Sequence, residues 1–178
     1  GPLSLLATSL EGWSNLCRLS SFLALRDDPD APCLLETLFQ YSKDLIALCE
    51  NPHGLQDGFE DLLYVPLRNI SSAGSLSAQA RNLGLPTVVA HPVYYQDPEQ
   101  ARLQKTLAAI RLNQTVTTIS QTALAPADAW FMPSQIIEER FKEFPEALQA
   151  TIEIAERCRF DLPLGKSQMP VVPLPEGV

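Results

Sequence analysis

Basic residues are scarce in this chain: thirteen Lys and Arg stand against twenty-one Asp and Glu in 178 residues, a net charge of −8. A domain that grips nucleic acid through its phosphates carries a basic face, so direct DNA contact is not expected of this segment. Local basic patches could still form at Arg18 with Arg26, or at Arg102 with Lys105 and Arg111. Long apolar runs are missing too. No stretch approaches the ~18 apolar residues of a membrane span, and the N-terminus lacks the basic-then-apolar layout of a signal peptide, so a cytoplasmic protein without membrane contact is expected. Cysteine is limited to Cys17, Cys33, Cys49 and Cys158. None is spaced C-x-x-C, which reads as reduced, buried thiols rather than zinc ligands or a disulfide scaffold. Also absent are a G-x-S-x-G elbow, a P-loop and a G-x-G-x-x-G turn, which removes the usual sequence signals of nucleophilic or nucleotide-binding chemistry.

What is present describes an ordinary globular domain, 46% apolar and 19% charged, long enough to bury a sizeable core. Apolar runs at Leu3 to Ala7, Asp44 to Cys49, Leu62 to Leu67 and Leu85 to Ala90 read as strands, with Pro66 required to lie at the end of the third. Between and after them, helices are predicted. Ser9 caps one that carries Leu16, Leu19 and Leu23 at helical spacing, and shorter ones cover Leu34 to Tyr41 and Ser75 to Leu83. Ser71 to Ser75 reads as the turn leading into the latter. Asp97 and Pro98 open a helix to Leu112 whose Leu103, Leu107 and Ile110 face inward, and two more helices run from Ser134 to Phe144 and from Pro145 to Cys158. Thr115 to Ala129 shows no periodicity. Strands alternating with helices give an α/β class with a mainly parallel sheet, too few strands to close a barrel, and a Pro-rich extended linker over residues 162–178.

In such sheets chemistry gathers at the carboxyl ends of the strands. Both histidines, His53 and His91, follow predicted strands and fall on the same rim. One reading is a two-His metal site completed by Asp44, Glu50, Asp57 or Asp97. The other is a pair of loop histidines, exposed or bonded to backbone. The acidic pairs Glu138-Glu139 and Glu153/Glu156 read as solvated helix faces.

Three stretches carry a family resemblance. The opening L-S-L-L-A-T-S-L-E-G-W-S-N-L-C-R-L is similar to "LLLLA-x-x-x-x-G-Y-x-N-L-x-x-L". The run G-L-P-T-V-V-A-H-P-V-Y-Y-Q-D-P-E-Q-A, residues 84–101, resembles "GLPVVATNDVHYLxPEDA". Residues Phe144 to Lys166 resemble the segment "PEALxNTLEIAERC". All three patterns belong to the second part of the polymerase-and-histidinol-phosphatase (PHP) domain that begins bacterial DNA polymerase III α subunits. The resemblance implies a partial PHP-type (βα) barrel-like fold over residues 1–161, incomplete at its start because the family's opening H-x-H-S motif does not occur here, with the linker of residues 162–178 leading towards the polymerase core.

It also implies a lost metal site. Where the family has Asp and His in "N-D-V-H-Y", this chain has Pro92 and Tyr94; His91 stands at the Asn, a non-ligand position. Gln104 and Lys105 replace the His and Asp of "A-H-D-V-L", Pro66 replaces the Glu of "L-E-L", and Asn51 falls at the Cys of "S-G-C". Pro, Leu and Tyr do not supply the donors that hard or borderline ions need. No catalytic residue, metal ligand or cofactor is therefore expected within this segment, the Mg²⁺ of a parent polymerase lying outside it. The implied partners are the polymerase core, the proofreading subunit and other replisome proteins. The alternative is a Zn- or Mn-dependent phosphoesterase or 3′–5′ exonuclease, completed by a further segment with help from His53 and His91.

Overall fold

The computed structural model describes residues 2–28, 31 and 33–165. Four strands form one open sheet in chain order: β1 (Leu3–Ala7), β2 (Leu45–Cys49), β3 (Leu63–Leu67) and β4 (Thr87–Val89). β2, β3 and β4 run parallel, and β1 pairs antiparallel with β2 through the register Leu5↔Ala47. The α/β class and the mainly parallel sheet follow the sequence reading. Every residue of β2 and β3 is buried, which is why both strands are continuous apolar runs without alternation.

Among the described residues seven α-helices surround the sheet: α1 (Leu10–Ala24), α2 (Leu35–Gln40), α3 (Gln56–Phe59), α4 (Ile70–Asn82), α5 (Ala101–Arg111), α6 (Ser134–Arg140) and α7 (Pro145–Arg157). Leu45, Ala47, Cys49 and Leu63 pack with Leu19 of α1, Leu38 of α2 and Phe59 of α3. The alternate residues Ile46, Leu48 and Tyr64 join Val88 against Ala150 and Ile154 of α7. A third cluster, Leu67, Ala73, Val89, Phe141 and Ala147, ties α4, α7 and the end of α6 to the strand ends.

The β4 edge is closed by α7. Val65 N–H donates to Pro86 O and Ala90 N–H to Leu67 O, so Val89 O points away from β3. Thr151 Oγ1 donates to that carbonyl at 3.0 Å, satisfying an edge acceptor that packing would otherwise strand. Thr151→Val keeps the shape and removes the donor. It is expected to lower unfolding free energy by about 1 kcal/mol, read as a lower urea midpoint at unchanged slope.

At the opposite end of the sheet, α1 is pinned to the turn before β2. Asp44 adopts φ 59° there. Its carbonyl accepts from Thr8 N–H at 3.0 Å and from Thr8 Oγ1 at 3.1 Å, and its carboxylate accepts from Ser9 Oγ at 2.6 Å. Ser9 Oγ in turn accepts from Gly12 N–H at 3.1 Å, the predicted N-cap. Buried Asn15 donates to Lys43 O at 3.1 Å. A Cβ on Gly12 would overlap Asp44 O, so glycine is what lets the helix lie against that carbonyl.

Several expectations are corrected. α4 begins at Ile70 because Asn69 Oδ1 accepts from Ser72 N–H at 3.0 Å; Ser71 to Ser75 is helix, not a turn. Leu103, Leu107 and Ile110 of α5 face outward, exposed by 57%, 57% and 70%, while Ala108 and Ala109 pack on Ile119. Asp97 makes no side-chain cap, and residues Pro98–Gln100 form a 3-10 turn ahead of the helix. Pro66 sits one residue inside β3 rather than at its end. Its ring nitrogen faces β2, and the β2–β3 ladder stops at Leu48↔Tyr64, two residues short of that missing donor. α6 is shorter than predicted and α3 was not predicted at all. Only one of the four thiols is fully buried: Cys49 is enclosed, Cys17 and Cys33 are exposed, and Cys158 is half-buried, its thiol pKa pushed up by that burial. Cys17 lies on the face of α1 opposite buried Asn15 and Leu19. Of the 162–178 linker, residues 166–178 lie outside the described residues.

Candidate functional site

The carboxyl ends of β2, β3 and β4 converge on one rim, and Glu50, Arg68 and Pro92 stand close behind them. A cavity of about 680 Å³ opens there, lined also by Asn69, Tyr94, Asp128 and Arg140. Two ion pairs cross it. Arg68 Nε lies 3.2 Å from Glu50 Oε1, and the Arg140 guanidinium pairs with the Asp128 carboxylate. Arg68 Nη2 reaches Ser4 Oγ at 3.5 Å. Its Nε is buried without a well-aligned acceptor, so the Glu50 contact is ionic rather than a directed hydrogen bond. Two carboxylates facing two guanidiniums leave the rim near neutral, and each carboxylate already has its cation.

The residues predicted for this site are distributed unevenly. Pro92 and Tyr94 line the cavity, Tyr94 being 63% exposed. Pro66 is buried in β3 and Asn51 is exposed beyond β2. Gln104 and Lys105 belong to a separate hollow of about 360 Å³ beside Tyr95. His53 is exposed in the loop after β2, whereas His91 places Nε2 3.3 Å from Trp130 O and lines an apolar groove apart from the rim. Neither histidine reaches the rim cavity. Of the candidate carboxylates only Glu50 lies there; Asp44 precedes β2 and is engaged with Ser9 at the other end of the strand.

Among the described residues no three His, Cys, Asp or Glu side chains come together in a way that could hold a metal ion. The donors present at the rim do not fit a metal cluster. The anionic oxygens available, from Glu50 and Asp128, are committed to arginines, and the neighbours are Pro92, Tyr94 and Asn69. Arg68, Asp128 and Arg140 were missed in the sequence. Arg68 had a signal, since it directly follows a strand as His91 nearly does. Asp128 and Arg140 had none: they are joined across an irregular segment and a short helix.

No protein-family model matches the sequence. Curated proteins do. The DNA polymerase III subunit alpha of Bacillus subtilis is 30% identical over an alignment covering 99% of this chain, and that of Neisseria meningitidis serogroup A is 30% identical over 67% of it. The chain is a homologue of part of the bacterial DNA polymerase III α subunit. An error-prone DNA polymerase 1 from Agrobacterium fabrum is 29% identical over 84% of the chain. The chain spans only 18%, 11% and 15% of these α-subunit and error-prone relatives, respectively. No helix among the described residues is long and apolar enough to cross a membrane.

Proposed function

We propose that this chain is the second part of a PHP domain in a DNA polymerase III α-type protein, metal-free and non-catalytic, with a structural or partner-docking role. The rim cavity carries this reading. At the strand ends where the resemblance places Asp, His, Glu and Cys ligands, the chain sets Pro92, Tyr94, Pro66 and Asn51, and the adjoining space is bridged by Arg68–Glu50 and Arg140–Asp128. Guanidinium groups beside carboxylates do by internal pairing what a cation would otherwise do, and they repel a second cation.

Residues 1–161 form this domain and residues 162–178 the linker towards the polymerase core. The parent protein is a cytoplasmic DNA-directed DNA polymerase whose Mg²⁺-binding carboxylates lie elsewhere. Its core packs against this domain, with the proofreading subunit and other replisome proteins as further partners, and DNA is not contacted here. The test is hydrolysis of bis(p-nitrophenyl) phosphate by the purified chain in excess Mn²⁺ or Zn²⁺. Rates at the level of buffer plus metal are expected. Turnover that EDTA abolishes would overturn the reading in favour of a phosphoesterase.

A further inference from the structure

A second concavity lies apart from the rim cavity. It is a groove of about 370 Å³ at the end of β4, floored by Val89, Ile137 and Leu148. Its walls include Val93, Phe131 and Ile152, which are 51%, 68% and 56% exposed. Exposed side chains of this size gathered around one concave floor mark an interaction site rather than scattered surface apolarity. The Phe131 wall is held in place by backbone. Phe131 N–H donates to Tyr95 O at 3.0 Å, Tyr94 N–H to Ala129 O at 2.8 Å, and the two segments form a parallel bridge at Tyr95↔Trp130. A wall fixed in this way loses little freedom when it is occupied.

The charge at the groove selects the occupant. Glu138 lines it, and among the described residues no cation pairs with that carboxylate, whereas Glu139 takes Lys142 at 2.7 Å and Arg140 takes Asp128. The whole chain carries −8, a field that draws cationic partners and turns away nucleic acid and acidic lipid surfaces. The volume is at the small end of the ~300–1,000 Å³ range of ligand pockets, suited to anchoring side chains. We propose that this groove docks a peptide segment of a protein partner, one that inserts large apolar side chains over Val89 and Leu148 and sets an adjacent Lys or Arg against Glu138. The groove shares no lining residue with the rim cavity.

A random peptide library displayed on phage and selected on the full chain tests this. Enriched sequences are expected to place Leu, Phe or Trp next to Lys or Arg. A synthesised peptide from that set is expected to bind ~10-fold more weakly to Phe131→Ser and to Ile152→Ser, as for hot-spot anchors. Glu138→Lys is expected to weaken it ~5-fold, and replacing the peptide's basic residue by Glu should restore the loss, the sign of a direct charge pair. All three positions are exposed, and an unchanged far-ultraviolet spectrum and melting temperature confirm the fold of each variant. No enrichment, acidic winners, or binding indifferent to these variants would overturn the proposal. So would sedimentation showing a wild-type dimer that Phe131→Ser dissolves, which would assign the groove to a second copy of the chain.

Discussion

Phe141→Ala is expected to lower the unfolding free energy by about 3–5 kcal/mol, the range for emptying a large buried aromatic site. Phe141 is fully enclosed and is the largest such side chain in the molecule's described part. It follows α6 directly and packs with Leu67, Ala73, Val89 and Ala147, and its carbonyl accepts from Phe144 N–H at 2.8 Å where the chain turns into α7. Loss of the ring therefore loosens α4, α7 and the carboxyl ends of β3 and β4 together. Urea titration followed by tryptophan fluorescence reads the effect. Leu25→Ala, at a residue 85% exposed, is the control and should stay within about 0.5 kcal/mol of wild type. A Phe141→Ala midpoint equal to that of the control would mean that the third core cluster is not formed as described.

Gly12→Ala is the second large effect. In an open helix this exchange is favourable by about 1 kcal/mol. Here the added methyl would overlap the Asp44 carbonyl and crowd its Cβ, and the obstacle is backbone that also receives Thr8 and faces Ser9. α1 has to move off the sheet, and overpacking of this kind costs about 1–3 kcal/mol net. The expected outcome is a lower urea midpoint, with hydrogen-exchange protection lost first along residues Leu10–Ala24. A stabilised Gly12→Ala protein would show that α1 stands further from the Asp44 turn.

The same geometry explains part of the family resemblance. The Gly and Asn of the opening pattern are Gly12 and Asn15, and both act on one turn: Gly12 by its close approach to Asp44, and Asn15 by its bond to Lys43 O. These matches belong to packing. Of the departures, Pro92 and Tyr94 line the rim, which arginines and carboxylates span, while Gln104 and Lys105 lie on α5 in a separate hollow.

Local chemistry made much of the fold legible. Ser9 reads as an N-cap and is one, and the apolar runs Asp44 to Cys49 and Leu62 to Leu67 read as strands and hold β2 and β3, which are buried throughout. Periodicity was less informative for α5, because a stripe of Leu103, Leu107 and Ile110 says that these residues share a face without saying which way it points. There the small residues Ala108 and Ala109 fit against Ile119 and the large ones were left outside. At the site, Pro92 and Tyr94 were named from the family resemblance, whereas the strand-end rule pointed to His53 and His91, neither of which lines the rim cavity. Arg140 and Asp128 were invisible because their pairing exists only once α6 folds back over the rim, a tertiary event with no spacing to betray it.

Metal content tests the proposed metal-free rim most directly. The purified chain is equilibrated with Mn²⁺ or Zn²⁺, dialysed against metal-free buffer and assayed by inductively coupled plasma mass spectrometry. Trace, substoichiometric metal is the expected result, with a melting temperature that neither EDTA nor added metal moves. One or more ions retained per chain, with the melting temperature raised by metal as mass action requires of a bound native state, would contradict it.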